Sequence, residues 1–127
     1  MSEGLSGEAL IILEAIYKAG KKGILVGSGE WGVDRGLGTW RATGALICPL
    51  SALLITRTLK DGPTFPTQDV SKILLRSYEW VKGFVSEWDE VEEFCPPPKA
   101  SDAWQEMESG RRTACEVRRA LEQERSV

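Results

Sequence analysis

Residues 23–36, GILVGSGEWGVDRG, decide between two folds. The apolar run Ile24-Leu25-Val26 leads into Gly27-x-Gly29-x-x-Gly32, the spacing of a dinucleotide-binding loop. In a doubly wound α/β fold that loop opens a helix on its third glycine, and an acidic residue follows about 20 positions on. Here Val33-Asp34-Arg35-Gly36-Leu37-Gly38 adds glycines where the helix belongs, and residues 50–54, where the acid belongs, read Leu-Ser-Ala-Leu-Leu. No Gly-Lys-Ser/Thr ending marks a P-loop. The segment therefore reads as a glycine-rich hairpin or loop with short strands over 24–26 and around 39–47. The fold must be built by its flanks, which are helical in pattern.

Before the glycines, residues 7–19 repeat apolar positions at helical spacing. Ser6 is placed to cap that helix, with Leu5 and Leu10 as a staple across the cap. Leu10, Leu13 and Tyr17 mark one face, widened by Ala9, Ile12 and Ile16, and Gly20 is the expected stop. After Cys48, Pro49 opens a short helix whose residues Leu50 to Ile55 are almost all apolar, as in a buried helix. Lys60-Asp61-Gly62-Pro63 reads as a turn and Pro66 as a further break. Thr67 then caps a helix carrying Val70, Ile73 and Leu74. Ser77 caps the next, with Trp80 or Val81, Phe84, Trp88 and Val91 on its inner face. Cys95-Pro96-Pro97-Pro98 is a stiff spacer. The last helix starts at Ser101 or Asp102, with an Asp102/Gln105 capping box, and runs to about Glu124. Its seam is Met107, Gly110, Ala114, Val117 and Leu121. A glycine in mid-helix costs about 1 kcal/mol against alanine, so Gly110 marks a close helix contact.

The expectation is a mainly α fold: a single compact domain over 1–127, of four to five helices with a small glycine-rich β-hairpin or loop after the first. Its parts are an N-terminal helix (1–20), the glycine-rich segment (21–47), a helical core (48–94), a proline spacer (95–100) and a C-terminal helix (101–124).

Composition narrows the chemistry. The chain has no histidine, so the commonest general base, the commonest metal ligand and every Ser-His or Cys-His pair are missing. Three cysteines, Cys48, Cys95 and Cys115, are isolated from one another, which fits a reducing cytoplasm and gives no zinc spacing. Net charge is −3, so no overall basic field draws the chain to nucleic acid or to an anionic membrane surface. The start, MSEGLSGEAL, has no basic stretch before an apolar core, and the run over 45–55 is broken by Pro49 and Ser51, short of the ~20 residues that cross a bilayer. The expected location is cytoplasmic, with no cofactor and no metal.

Three sets of side chains remain as candidates. Arg111, Arg118 and Arg125 are seven apart, as are Arg112 and Arg119, so guanidinium groups line both flanks of the last seam. Arg111, Arg112, Arg118 and Arg119 read as a surface for a protein partner, including another copy of this chain. Alternatively Gly27, Gly29, Trp40, Arg41, Arg57 and Arg111 hold a small phosphorylated ligand, since Arg forks match phosphate oxygens. Glu87, Asp89, Glu90, Glu92 and Glu93 form an acidic run. It reads as a solvated face, and as a carboxylate pair for acid–base work only if Glu87 and Glu90 line a cleft.

The run Cys48-Pro49-Leu50-Ser51-Ala52-Leu53-Leu54 resembles a group of small bacterial and phage-type proteins with Cys-Pro-Leu-Gly-Ala-Leu-Leu, then Trp-Val-x-Gly-Phe and a closing Phe-Asp. Trp80-Val81-Lys82-Gly83-Phe84, Trp88-Asp89, Gly110-Arg111 and Val117-Arg118 are the similar positions here, with Ser51 and Trp88 departing from the group's Gly and Phe. The resemblance implies one compact domain and nothing catalytic. The expected function is a non-enzymatic adaptor or inhibitor that works by protein contacts and self-associates. The alternative is a protein that binds or sequesters a small ligand or nucleotide.

Overall fold

The apolar run after Cys48 has no polar face, and a helix of that kind is stable only when surrounded. In the computed structural model, which describes residues 5–27, 31–35, 39–44, 46–57, 65–91 and 97–125, it is surrounded. The elements in chain order are α1 (Gly7–Lys21), β1 (Leu25–Val26), β2 (Val33–Arg35), β3 (Trp40–Ala42), β4 (Leu46–Ile47), α2 (Pro49–Thr56), α3 (Pro66–Leu74), α4 (Tyr78–Trp88) and α5 (Asp102–Arg125). The protein is mainly helical, with five helices and two small two-stranded sheets among the described residues. Contacts group the chain into two compact units, residues 11–75 and residues 76–127 with the first ten, so that α1 crosses the division.

In the unit of residues 11–75, Pro49, Leu50, Ser51, Ala52, Leu53 and Leu54 of α2 are all buried, and Pro49 occupies the first helical turn as expected. The glycine-rich segment forms two pairings instead of one hairpin. Strands β2 and β3 are antiparallel, with Val33 opposite Ala42 and Arg35 opposite Trp40. Strands β1 and β4 run parallel, with Leu25 opposite Leu46 and Val26 opposite Ile47. The expected strand around 39–47 is thus split into β3 and β4. The Trp31 carbonyl joins the segment to α2 by accepting from the Cys48 amide at 3.2 Å and from Ser51 Oγ at 2.6 Å. Gly32 is required beside it: its φ is +69°, and a Cβ there would lie 2.5 Å from the Leu46 carbonyl oxygen.

Helix α3 corrects two expectations. It begins at Pro66, with Phe65 as its N-cap and no side-chain cap, so Pro66 starts the helix and Thr67 does not cap it. Proline's fixed φ and missing N–H suit a first turn, where no intrahelical partner waits for the amide. The indole Nε1 of Trp40 donates to Oδ2 of Asp69, which is fully buried, at 2.7 Å and so ties β3 to α3.

Ser6 caps α1 as expected, accepting from the Ala9 amide at 3.2 Å. The inward face, however, is Ala9, Ile12, Ala15 and Ala19, while Leu10 is 43% and Tyr17 65% exposed. The larger Leu10 and Tyr17 are left outside, so the staple and the Leu10–Tyr17 face do not form the core. Lys21 covers Tyr17, its Nζ 4.6 Å from the ring centroid. Gly20 does not stop the helix. Gly23 does, at φ +83°: the Ile24 amide reaches back to the Ala19 carbonyl and the Gly23 amide to the Gly20 carbonyl, a Schellman closure.

The second unit is built on a close crossing of α4 and α5. A Cβ on Gly83 would lie 2.8 Å from the Met107 carbonyl carbon, and one on Gly110 would lie 2.9 Å from the Phe84 nitrogen. Each glycine faces the backbone of the opposite helix, Gly83 that of Met107 and Gly110 that of Trp80 and Phe84, so the expected contact at Gly110 is present. Met107, Ala114 and Val117 are buried along that seam, whereas Leu121 is only half-buried. Trp80, Phe84 and Trp88 stack one turn apart, with centroids 5.9 and 6.3 Å apart. Guanidinium groups close both ends of the stack, Arg76 5.7 Å from the Trp80 centroid and Arg118 4.9 Å from that of Trp88.

Ser77 caps α4 as its sequence position suggests, accepting from the Trp80 amide at 3.3 Å and donating to Glu106 Oε1 at 2.8 Å. The helix ends at Trp88, earlier than expected. Glu90 takes φ +57° and the Val91 amide closes back on the Ser86 carbonyl, which leaves Val91 62% exposed and outside the inner face. At α5 the cap is Ser101, whose Oγ accepts from the Trp104 amide at 3.2 Å, in place of an Asp102/Gln105 box. The turn at 60–63 and the residues from Glu92 to Pro96 lie outside the described residues.

Candidate functional site

Helix α5 sorts its arginines by what their neighbours can offer. Its inner seam carries Met107, Gly110, Ala114 and Val117. Residues one position round from that seam are half-buried, and those opposite are in water. Arg111 is of the half-buried kind and pairs with Glu108 Oε1 at 3.2 Å. Arg118 is of the same kind and works inside the unit. Its Nη2 donates to the Trp88 carbonyl, its Nη1 lies 3.6 Å from Glu90 Oε1, and its plane covers the Trp88 ring. A cation at the C-terminal end of α4 satisfies a last-turn carbonyl and meets the negative end of the helix dipole.

Arg112 and Arg119 are exposed. Among the described residues neither makes an ion pair, and the reason is visible in the carboxylates nearby. Glu108, four before Arg112, is taken by Arg111, and Glu116, four after it, accepts from Ser6 Oγ at 3.0 Å. Of the four arginines expected to face a partner, two are engaged internally and two remain open on the outer stripe with Gln105, Cys115 and Glu122. Partial desolvation of the sulfur, and then the Glu87 carboxylate, push the exposed Cys115 thiol above its ordinary value, against the pull of Arg118 and Arg119.

The residues of the alternative ligand site are placed as follows. Arg111 belongs to the unit of α4 and α5, whereas Gly27, Trp40, Arg41 and Arg57 belong to the other. Arg41 and Arg57 are exposed. The Gly27 amide donates to the Ile47 carbonyl at 2.8 Å, and the Trp40 indole donates to Asp69. A phosphate cradle needs such N–H groups aimed at the ligand. Here both point into the fold. Gly29 lies outside the described residues. In the acidic run, Glu90 is exposed and Glu87 and Asp89 are half-buried, while Glu92 and Glu93 are outside the described residues. No group of three or more Cys, Asp or Glu among the described residues is placed to hold a metal ion.

A second surface was not legible in the sequence. Leu25 and Leu46 are register partners in the parallel pair, and each is 60% exposed. Parallel ladders occur almost only where both faces are covered. The signal that would have found this surface is the pairing of β1 with β4, which joins residues about 20 apart and has no local signature.

No family model, no curated protein and no solved structure matches this chain. No helix among the described residues is long and apolar enough to cross a membrane.

Proposed function

We propose that the protein is a small cytoplasmic binding protein without enzymatic activity, an adaptor or inhibitor that acts through protein contacts and self-associates. The observation that carries this reading is the open leucine pair on the parallel ladder, Leu25 beside Leu46. Apolar side chains on a parallel pair gain by being covered, and among the described residues no third strand lies beyond β1. A second copy offers the same two leucines, and a two-fold contact sets each pair against its equivalent. Net charge of −3 is too small to hold two copies apart at physiological salt.

Sedimentation velocity over a range of concentrations tests it. The wild type is expected to shift to a larger species with concentration, and Leu25→Lys with Leu46→Lys to stay monomeric. Exposed positions accept lysine with little effect on folding, and lysine on an open strand discourages pairing. A wild type that stays monomeric throughout, or a double variant that associates equally well, contradicts the proposal.

A further inference from the structure

The pairing pattern on α5 carries the reading as a binding protein one step further, to the chemistry of a partner, and the inference rests on that reading. Arg112 and Arg119 lie seven residues apart on one stripe, about 10.5 Å along the axis. Three guanidinium groups of the same unit are answered within the chain: Arg76 by Glu106 at 3.3 Å, Arg111 by Glu108 and Arg118 by Glu90. Arg112 has carboxylates at both four-residue positions, and each is drawn to another partner, Glu108 to Arg111 and Glu116 to Ser6. Arg119 has Cys115 where a carboxylate four before it would sit. In a chain with more acidic than basic residues, 19 against 16, two guanidinium groups on one outer stripe thus make no ion pair among the described residues.

We infer that the outer stripe of α5 docks an acidic protein segment, with Arg112 and Arg119 each receiving one carboxylate. The guanidinium fork presents two parallel N–H donors to a carboxylate, which a lysine does not. Carboxylates seven residues apart on a partner helix match the spacing, since both helices advance about 1.5 Å per residue. A nucleic acid fits the site poorly: Glu87, Glu116 and Glu122 stand close by in sequence or structure, and a densely charged phosphate backbone meets them as well as the arginines.

The test is fluorescence anisotropy with a fluorescein-labelled helical peptide carrying glutamates at seven-residue spacing, against the same peptide with glutamines there. The full-length wild type is expected to bind the glutamate peptide, more weakly as salt rises. Arg112→Ala with Arg119→Ala is expected to weaken binding about tenfold, the equivalent of about 1.4 kcal/mol. Arg57→Ala, at an exposed arginine of the other unit, is expected to bind as the wild type does. Far-UV circular dichroism checks that each variant is folded, and these exposed positions make unfolding an unexpected result. Failure of the wild type to prefer the glutamate peptide overturns the inference. So does equal binding by the double variant, or equal binding of a single-stranded DNA oligonucleotide. The arginine variant is expected to keep the self-association of the wild type in sedimentation velocity, so this inference and the leucine contact fail separately.

Discussion

Alanine at Gly110 separates a close helix crossing from an ordinary helical glycine, because the two cases give opposite signs. On an exposed helix surface, Gly→Ala stabilises by about 1 kcal/mol through backbone entropy. At Gly110 the new Cβ would sit 2.9 Å from the Phe84 nitrogen and from the Trp80 carbonyl carbon, and nearer still to the Trp80 carbonyl oxygen. That is at least ~0.6 Å inside the optimum for non-bonded heavy atoms of about 3.5 Å. The neighbours are backbone and cannot rotate away, so α4 and α5 must separate, which loosens contacts of Trp80, Phe84 and Met107. A gap of about 0.5–1 Å forfeits a quarter to a half of each contact's attraction, and overpacking of this kind costs about 1–3 kcal/mol. Subtracting the ~1 kcal/mol helical gain leaves a net destabilisation of about 0–2 kcal/mol, with about 1 as the central value. Urea unfolding followed by circular dichroism measures it, with Gly20→Ala as the control. Gly20 is helical and has nothing within 4 Å of its would-be Cβ, so alanine there is expected to stabilise. If Gly110→Ala stabilises as much as Gly20→Ala, the close crossing is refuted.

Gly23→Ala forces a side chain into φ +83° and is expected to destabilise by about 1 kcal/mol in the same urea assay. Asp69→Ala leaves the Trp40 indole N–H without its acceptor and is expected to destabilise by about 1–3 kcal/mol, with a change in tryptophan fluorescence; unchanged stability would mean that the indole finds another acceptor. Ser77→Ala removes the cap of α4 and its bond to Glu106, with an expected loss of about 1 kcal/mol. The raised pKa of Cys115 predicts slow alkylation by iodoacetamide at neutral pH, accelerating as pH passes the ordinary thiol range. Glu87→Gln removes a raising influence and should bring that rise to lower pH, read by peptide mass mapping at Cys115; a faster reaction in the wild type than in a free cysteine would contradict the assignment.

Local chemistry was legible from the sequence wherever cause and effect lie within a few residues. The Cys48-Pro49 start of α2, the Ser77 cap and the meaning of a glycine at position 110 all follow from such local rules, and the structure contains each of them. The inward face of α1 differs from the periodic reading because periodicity ranks leucine and tyrosine above alanine, while the face that is buried carries Ala9, Ile12, Ala15 and Ala19. The ends of α1 and α4 differ because both helices close through a residue at positive φ, Gly23 and Glu90, and nothing in the residue type of Glu90 announces that conformation. Arg118 was grouped with three surface arginines. Its internal role depends on Trp88 and Glu90, about 30 residues away, and no spacing rule reaches that far. The same distance problem hid the β1–β4 pairing, and with it the leucine surface on which the functional proposal rests.

The most direct test of that proposal is native mass spectrometry of the intact protein freshly purified from cells. Multiples of the 14.0 kDa chain without added mass are expected, falling to the single chain with Leu25→Lys and Leu46→Lys together. A single chain at every concentration would contradict it, and so would a reproducible small added mass that is lost when Arg111 is replaced, which would make this a ligand-binding protein instead.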